Sequence, residues 1–304
     1  MNLFDFFTDV YRTRRLLGKS DNTSRLYTLS IRSFGRTIGK NPTLDDLTEE
    51  NLAKHMQRVL DDGRSRATAN KDRAQLLALW RLASKMNLVD TWPDVPQVSE
   101  PERIPTAWLA EELDQLLQAA QRQPGDFCRV PRSAWWRSLI LLCLDTAERI
   151  GAVSLARWDW MHDQWFTVPA EARKGKTRDR SYRLSPSTIE SIDSVRAANA
   201  PGPKIFPWPY CKMYLWTLYK KLLVEAGLPT TRRDKFHRLR RTTASAVHAA
   251  GLDAQEALDH QYRRTTQRYL DPRFKTSAQP CDVLAKYLAS PGKKKKPPKK
   301  RGAG

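Results

Sequence analysis

Apolar residues recur at helical spacing through the first third of the chain. Leu76 and Trp80 lie four positions apart in the stretch 66–87, and similar spacing occurs over 23–38 and 48–61. Residues three or four positions apart share one face of an α-helix, so each stretch predicts a helix with one buried side. Several such helices joined by short connections predict a small helical bundle.

Helical spacing also dominates the rest of the chain, with one interruption. It predicts helices over 107–120, 132–145, 186–200 and 212–226. The β-prone runs 165–168 and 181–184 flank the basic stretch 173–178, which predicts an antiparallel hairpin with a basic tip. The predicted fold is therefore mainly α with a small antiparallel β-sheet.

Prolines divide the chain into regions. Four prolines fall within 92–106, a density typical of an extended linker. We expect an N-terminal helical domain, a linker, a second domain and a basic tail with no stable fold. The corresponding residues are 1–98, 99–106, 107–290 and 291–304.

The composition indicates a polyanionic partner. The 304 residues include 53 Lys and Arg against 33 Asp and Glu, a formal net charge of +20. A basic surface of this size attracts polyanions, and nucleic acid is the leading candidate. An anionic membrane surface is the alternative, but no basic amphipathic anchor helix stands out.

Patterns typical of secretion, membrane insertion, metal binding and ATP binding are missing from the sequence. The N-terminus has no signal-peptide pattern, and the apolar run 139–144 is too short to span a bilayer. The four cysteines are far apart, and no zinc site, two-metal carboxylate cluster or ATP-binding loop can be identified. We expect a cytoplasmic, nucleoid-associated prokaryotic or phage protein that needs no metal and no cofactor.

Residues 237–269 concentrate groups that can hold a phosphate and attack it. This stretch contains His237, Arg240, His260 and Tyr269. His237 and Arg240 are three positions apart at a predicted helix start, so they share a face and can reach the same phosphate. A guanidinium suits this task because it donates two parallel hydrogen bonds and stays charged. A phenol becomes a nucleophile when cations stabilise it or a base accepts its proton.

The same stretch resembles the C-terminal box of the tyrosine recombinase (phage integrase) family. In that family an H-x-x-R helix start is followed by a Leu-Gly-His turn and a Thr-Thr-x-x-Tyr segment. The corresponding segments here are 237–240, 258–260 and 265–269.

An upstream segment resembles the first arginine box of this family, Thr-Gly-Leu-Arg-Ile-Ser-Glu-x-x-x-Leu. The matching residues are Thr146, Arg149, Ile150 and Leu155. Glu148 stands where the family has leucine, and Ala152 replaces a carboxylate that supports the arginine. In the downstream turn, Asp259 replaces glycine, which would place an acidic group near the phosphate site.

The resemblance implies cutting and rejoining of DNA strands. Tyr269 would attack the scissile phosphate, leaving a 3′-phosphotyrosyl link and a free 5′ hydroxyl. His237 is the candidate base that accepts the phenol proton. The phosphate oxygens would be bound by Arg149, Arg240 and His260.

Family members also carry a lysine on the hairpin, which would protonate the departing 5′ oxygen. Lys174 is our choice for this residue, and Lys176 is the alternative. Basic hairpin tips commonly bind phosphates without any catalytic role, and that interpretation remains open for both lysines.

The resemblance further implies a partner and an assembly. The partner would be double-stranded DNA with specific recombination sites. A homo-tetramer on DNA, monomeric or weakly associated off DNA, would exchange strands through a Holliday junction. The first domain would be a SAM-like helical core-binding domain that clamps the duplex, and the second an α+β catalytic domain. A helix within 281–304 would dock on a neighbouring subunit.

Basic and polar residues at two places are candidates for DNA contact. They are Arg64, Arg66, Asn70, Lys71, Arg73, Lys176 and Arg178. A run of charges is more often a solvated face than a binding surface, so both interpretations remain open.

Two other functions fit the same residues. One is a DNA-relaxing enzyme similar to type IB topoisomerases, which uses the same covalent chemistry. The other is a non-catalytic DNA-binding protein that retains the fold, which Ala152 and Asp259 make conceivable.

Overall fold

The computed structural model describes residues 1–175, 178–198 and 200–274. The chain divides into two compact units, Met1–Arg103 and Ile104–Gly304. The predicted docking helix within 281–304, the predicted tail 291–304 and Lys176 lie outside the described residues.

The first unit is a helical bundle. Its helical segments are Leu3–Asp5 (α1), the π-helix Phe6–Tyr11, Arg12–Arg15 (α2), Asp21–Ile38 (α3), the 3-10 turn Leu44–Asp46, Glu49–Asp61 (α4) and Arg66–Lys85 (α5). Thr48 and Ser65 begin α4 and α5, because their side chains accept hydrogen bonds from backbone N–H groups of the first turns. The predicted helices 23–38, 48–61 and 66–87 are confirmed with small shifts at their ends.

The segment after α5 lies against that helix without regular secondary structure. Arg73 Nε donates to the Val95 carbonyl at 2.6 Å. Asn70 donates to the Val98 carbonyl at 2.7 Å and accepts from the Val98 N–H at 2.9 Å. These bonds satisfy backbone groups that a strand or helix would otherwise pair, and they tie this segment to the first unit.

The second unit combines helices with two small antiparallel sheets. Its described helices are Ala110–Gln121 (α6), Arg132–Thr146 (α7), Ile150–Val153 (α8), Pro186–Ala197 (α9), Lys212–Glu225 (α10), His237–Ala249 (α11), Ala254–Ala257 (α12) and Arg263–Gln267 (α13). Its described strands are Asp126–Phe127 (β1), Val130–Pro131 (β2), Met161–His162 (β3), Trp165–Val168 (β4) and Arg180–Arg183 (β5). The strand orders are β1-β2 and β3-β4-β5. The predicted fold class is confirmed, although the β1-β2 hairpin was not predicted.

The β4-β5 hairpin follows the expected alternation of buried and exposed side chains. Phe166 pairs with Tyr182 in antiparallel register, and both are buried, as is Val168. Their neighbours Trp165 and Arg183 are exposed. One face of the hairpin therefore packs on the core and fixes the strands that carry the basic tip.

Aromatic packing anchors the start of α11. The buried Phe236 immediately precedes this helix and stacks on Tyr219 of α10, with ring centroids 4.0 Å apart. Phe236 also stacks on Trp136 of α7 at 6.4 Å. Such pairs add to the burial of large apolar surfaces, so His237 follows a residue fixed in the core. Among the described residues, no helix is long and apolar enough to cross a membrane.

Replacing Phe236 with alanine should test this anchor. We expect Phe236→Ala to lower the free energy of unfolding by about 3–5 kcal/mol, because a buried aromatic ring is lost and a cavity remains. Urea unfolding measures the change. Met213→Ala on α10 is the control, since Met213 is 71% exposed. Equal unfolding midpoints for the two variants would contradict the prediction.

Candidate active site

The first turn of α11 places His237 and Arg240 on one side of the helix. His237 is the first residue of the helix, and Arg240 follows three positions later. Arg238 Nη1 donates to Asp234 Oδ1 at 2.7 Å, which ties the first turn to the loop before it. The first turn of α11 is therefore held by the packing of Phe236 and by the bond between Arg238 and Asp234.

Arg240 is buried, with 3% of its surface exposed. Its guanidinium donates to the carbonyl of Ala147, in the loop after α7, and to the carbonyl of Leu258 at 2.6 Å. Its Nη2 also lies 3.3 Å from His260 Nε2. Arg240 thus joins the first arginine box to the turn that carries His260.

His260 is held between Arg240 and Thr266. A guanidinium can only donate, so His260 Nε2 accepts and the ring proton is placed on Nδ1. His260 Nδ1 lies 3.1 Å from Thr266 Oγ1, which can accept a hydrogen bond from it. These two partners fix the orientation of the imidazole.

Tyr269 lies against both imidazoles. Its hydroxyl is 2.8 Å from His237 Nε2. Its ring centroid is 5.0 Å from that of His237 and 4.9 Å from that of His260. The guanidinium carbon of Arg240 lies 5.8 Å from the same centroid. The structure therefore brings the predicted nucleophile, the candidate base, one arginine and the second histidine together.

Desolvation and positive charge together determine the protonation of the site. Desolvation, followed by the charges of Arg241, Arg240 and Arg149, lowers the pKa of His237 to about 4. Part of the His237 surface still reaches solvent, so this desolvation is partial. Burial and the charge of Arg149 also lower the pKa of Arg240, but a guanidinium remains charged at neutral pH. His237 is then a neutral acceptor among permanent cations.

Arg149 joins this cluster from the loop after α7. It is the half-buried N-cap residue of α8, and its charge acts on both His237 and Arg240. Ala152, which replaces the expected carboxylate, is buried. A carboxylate comes instead from Glu148, whose Oε2 accepts from the Arg149 backbone N–H at 3.2 Å. This bond restrains the Arg149 backbone rather than its guanidinium.

Asp259 is paired rather than turned toward the site as an isolated acid. Its carboxylate accepts from Arg173 Nη2 at 2.9 Å and from Arg178 Nη2 at 2.7 Å. Its φ of 50° is left-handed, a conformation that glycine adopts freely and aspartate tolerates. Two guanidinium groups therefore balance the acidic charge that this position introduces.

The tip of the hairpin carries the remaining predicted residues. Lys174 is exposed and precedes Gly175, which has a φ of 71°. Arg178 is also exposed, and Lys176 lies outside the described residues. Within the described part of the chain no contact joins Lys174 to Tyr269, so the choice between the two lysines remains a prediction.

Sequence reasoning missed the roles of two residues that organise this region. Arg173 is buried and contacts both Glu148 and Asp259, while Thr266 orients His260. The signal was visible in two acids at positions where the resembling family has none. An arginine directly before the predicted lysine was a candidate partner for both.

The predicted DNA contacts of the first unit lie on α5 and just before it. Arg64 is exposed. Arg66, Asn70, Lys71 and Arg73 each bond to other residues of the same unit. These bonds give the four residues an intramolecular role, and DNA contact remains a prediction for all five.

Comparison with known families classifies the chain. The sequence model of the phage integrase family matches residues 108–276, which is more than half of the 304 residues. The chain belongs to the phage integrase family. No curated protein sequence matches it. The matched range of this family member contains Arg149, Lys174, His237, Arg240, His260 and Tyr269.

Solved structures share the fold of this phage integrase family member. Lambda integrase (75–356), a dimer bound to a COC′ core site, has a TM-score of 0.72 and 20% identity, covering 91% of this chain and 97% of that chain. Tn1549 transposon integrase with circular intermediate DNA has a TM-score of 0.71 and 14% identity, covering 94% and 99%. XerH recombinase bound to palindromic difH has a TM-score of 0.66 and 20% identity, covering 92% and 81%. At these identities the similarity shows the tyrosine recombinase fold alone.

The lowered pKa of His237 predicts a pH-dependent loss of stability. The unfolded chain has an ordinary imidazole pKa of about 6.5, so it binds this proton before the folded protein does as the pH falls. The free energy of unfolding therefore decreases as the pH is lowered from about 6.5 to about 4. His237→Gln removes this titration, so wild type should lose stability relative to the variant across that window. Urea unfolding at both ends of the window measures it.

His248→Gln controls for the loss of a histidine from the same helix, since His248 is exposed on α11. A stability difference between wild type and His237→Gln that stays constant with pH would contradict the assignment.

Proposed function

We propose that this protein is a site-specific DNA recombinase that cuts and rejoins strands through a phosphotyrosyl intermediate. The contact between the Tyr269 hydroxyl and His237 Nε2, at 2.8 Å, is the observation that carries the proposal. In this contact a phenol lies against an uncharged imidazole, beside Arg240 and His260, which supports the proposal. Membership of the phage integrase family supports the same chemistry.

Each bond change in the proposed cleavage has a group to serve it. The Tyr269 oxygen attacks phosphorus and passes its proton to His237 Nε2. The bond from phosphorus to the 5′ oxygen breaks, and that oxygen receives a proton from Lys174, or from Lys176. The products are a 3′-phosphotyrosyl link and a 5′ hydroxyl. A 5′ hydroxyl of a partner strand reverses these steps, so the bond energy is conserved and no cofactor is required.

Charge stabilisation would come from Arg149 and Arg240, and from His260 once its Nε2 is also protonated and can donate to a phosphate oxygen. Negative charge grows on the non-bridging phosphate oxygens as the tyrosine attacks. Donors that are already fixed stabilise that charge without reorganisation, and Arg240 is fixed by two main-chain carbonyls. This pre-organisation favours the transition state over the bound substrate.

The net charge of +20 favours double-stranded DNA as the partner. The similar lambda integrase has been solved as a dimer on a core site and as a tetramer on a Holliday junction. By analogy, we infer a homo-tetramer on specific recombination sites. Residues 1–98 would clamp the duplex and 107–290 would hold the chemistry. Such a protein would act in the cytoplasm, at the nucleoid.

Trapping of the covalent intermediate tests the nucleophile. Nicked duplexes from the DNA that flanks the gene should yield a protein–DNA adduct with wild type. A nick beside the cleavage point releases the short fragment with the 5′ hydroxyl, so the strand cannot be rejoined. Tyr269→Phe should lose the adduct, since the attacking oxygen is missing. Tyr262→Phe is a matched control, because Tyr262 is nearby in sequence and 65% exposed. Denaturing electrophoresis measures the adduct.

Other outcomes of this experiment point to other functions. An adduct that persists in Tyr269→Phe would overturn the nucleophile. Relaxation of plasmids without site preference would favour a topoisomerase-like enzyme. The absence of any adduct with any DNA would favour a non-catalytic DNA-binding protein.

Substituting sulfur for the 5′ bridging oxygen identifies the lysine. Lys174→Ala should slow cleavage of ordinary DNA by about 10²- to 10⁴-fold, the usual contribution of a general acid. A 5′ thiolate leaves without a proton, so DNA with a 5′ bridging phosphorothiolate should restore the rate. If Lys176→Ala shows this rescue and Lys174→Ala does not, the assignment moves to Lys176. Gel-based cleavage rates with both substrates decide between them.

A further inference from the structure

Arg173 is the centre of a buried ionic cluster that the proposed chemistry does not use. Its Nε donates to Glu148 Oε1 at 2.5 Å, and its Nη2 donates to Asp259 Oδ2 at 2.9 Å. Its Nη1 donates to the Arg178 carbonyl at 3.1 Å. The side chains of Arg173 and Glu148 are each 2% exposed, and that of Asp259 is 10% exposed. All three guanidinium nitrogens are therefore bonded in a site nearly closed to water.

Glu148 is charged in this cluster. Burial opposes its ionisation, but hydrogen bonds from Tyr182 and Arg173 outweigh that effect and lower its pKa. The Tyr182 hydroxyl donates to Glu148 Oε1 at 2.7 Å from strand β5. Two contacts from the hairpin, through Arg173 and Tyr182, thus converge on one carboxylate in the loop after α7.

Each of the three ionic residues directly precedes a predicted site residue. Glu148 immediately precedes Arg149, Arg173 precedes Lys174, and Asp259 precedes His260. A bond between these side chains restrains the backbone directly before each of the following residues. Arg240 also holds the loops of Glu148 and Asp259, through the carbonyls of Ala147 and Leu258, so the cluster adds the backbone before Lys174 to two segments that are already anchored.

We propose that Glu148, Arg173 and Asp259 form a positioning clamp that holds the lysine-bearing hairpin against the loops of Arg149 and His260. This proposal rests on the proposed recombinase function. Among the described residues, no hydrogen bond or ion pair joins the clamp residues to Tyr269, so they would act through the lysine that protonates the leaving oxygen. The two acids that depart from the family pattern are thereby explained as partners of one arginine.

The fork shape of arginine is essential to the clamp. Arg173 bonds to two carboxylates and to a carbonyl through different nitrogens, which a lysine ammonium on a flexible stem cannot reproduce in that geometry. The bond to the Arg178 carbonyl also joins the Arg173 side chain to the start of the second strand side of the hairpin. Losing Arg173 would therefore free the tip while leaving the β4-β5 pairing in place.

The test compares the two leaving groups in clamp variants of the full-length protein. We expect Arg173→Met to cleave ordinary DNA about 10²-fold more slowly, the effect of misplacing a catalytic group by about 1 Å. On the 5′ bridging phosphorothiolate its rate should return to within about threefold of wild type, because that leaving group needs no proton. A merely destabilised protein would lose both rates by the same factor, and that result would overturn the clamp.

Asp259→Gly keeps the test decisive if Arg173→Met fails to fold. Glycine suits the φ of 50° at this position, so the turn of His260 should persist while one arm of the clamp is lost. We expect a smaller loss with the same phosphorothiolate rescue. Arg183→Met is the matched control, since Arg183 is an exposed arginine on the same hairpin, and it should leave both rates unchanged.

A double variant separates positioning from general stability. If the clamp acts through the lysine, Arg173→Met should add no further loss when it is combined with the alanine variant, Lys174→Ala or Lys176→Ala, that the phosphorothiolate rescue identifies. Multiplied losses would overturn the proposal. Failure of the proposed function looks different, because wild type would then form no adduct through Tyr269 at all.

Discussion

A guanidinium removed from water has to find acceptors inside the protein, and the described part of the second unit buries three of them, Arg173, Arg238 and Arg240. Each of them has at least one acceptor far away in sequence. Arg240 reaches the loops after α7 and α12, and Arg173 reaches two acids in those same loops. Satisfying these cations therefore brings distant segments together, and the candidate site forms where those segments meet.

Local patterns made most of the architecture predictable. Helices such as α4 and α10 have a periodic apolar face, and the β4-β5 hairpin alternates buried and exposed residues, so neighbouring residues are sufficient to identify them. Arg240 and Tyr269 were found because their spacing matches a family motif. The contacts of Arg173 leave no such trace, because its partners are 25 and 86 positions away. From the sequence alone, Glu148 and Asp259 differ from the family motifs, but their shared partner cannot be identified.

The site combines permanent cations with an uncharged imidazole. Arg240 remains a cation at neutral pH, while desolvation and the charges of Arg241, Arg240 and Arg149 keep His237 neutral. A bound phosphate would counter those cations and raise the pKa of His237. Its affinity for the phenol proton would then increase only when substrate is present. In the free protein the phenol would keep its proton, and unproductive reaction of Tyr269 would be limited.

The anchoring of Arg240 also bears on how the site tolerates sequence change. Its acceptors are the main-chain carbonyls of Ala147 and Leu258, and every residue type has such a carbonyl. Exchanging either side chain therefore leaves the acceptor chemically present. An inserted or deleted residue in these loops would move the carbonyl itself. The residue types at these two positions are limited by burial and, at Ala147, by a φ of 49°, whereas the lengths of the loops are limited by the carbonyls that Arg240 needs.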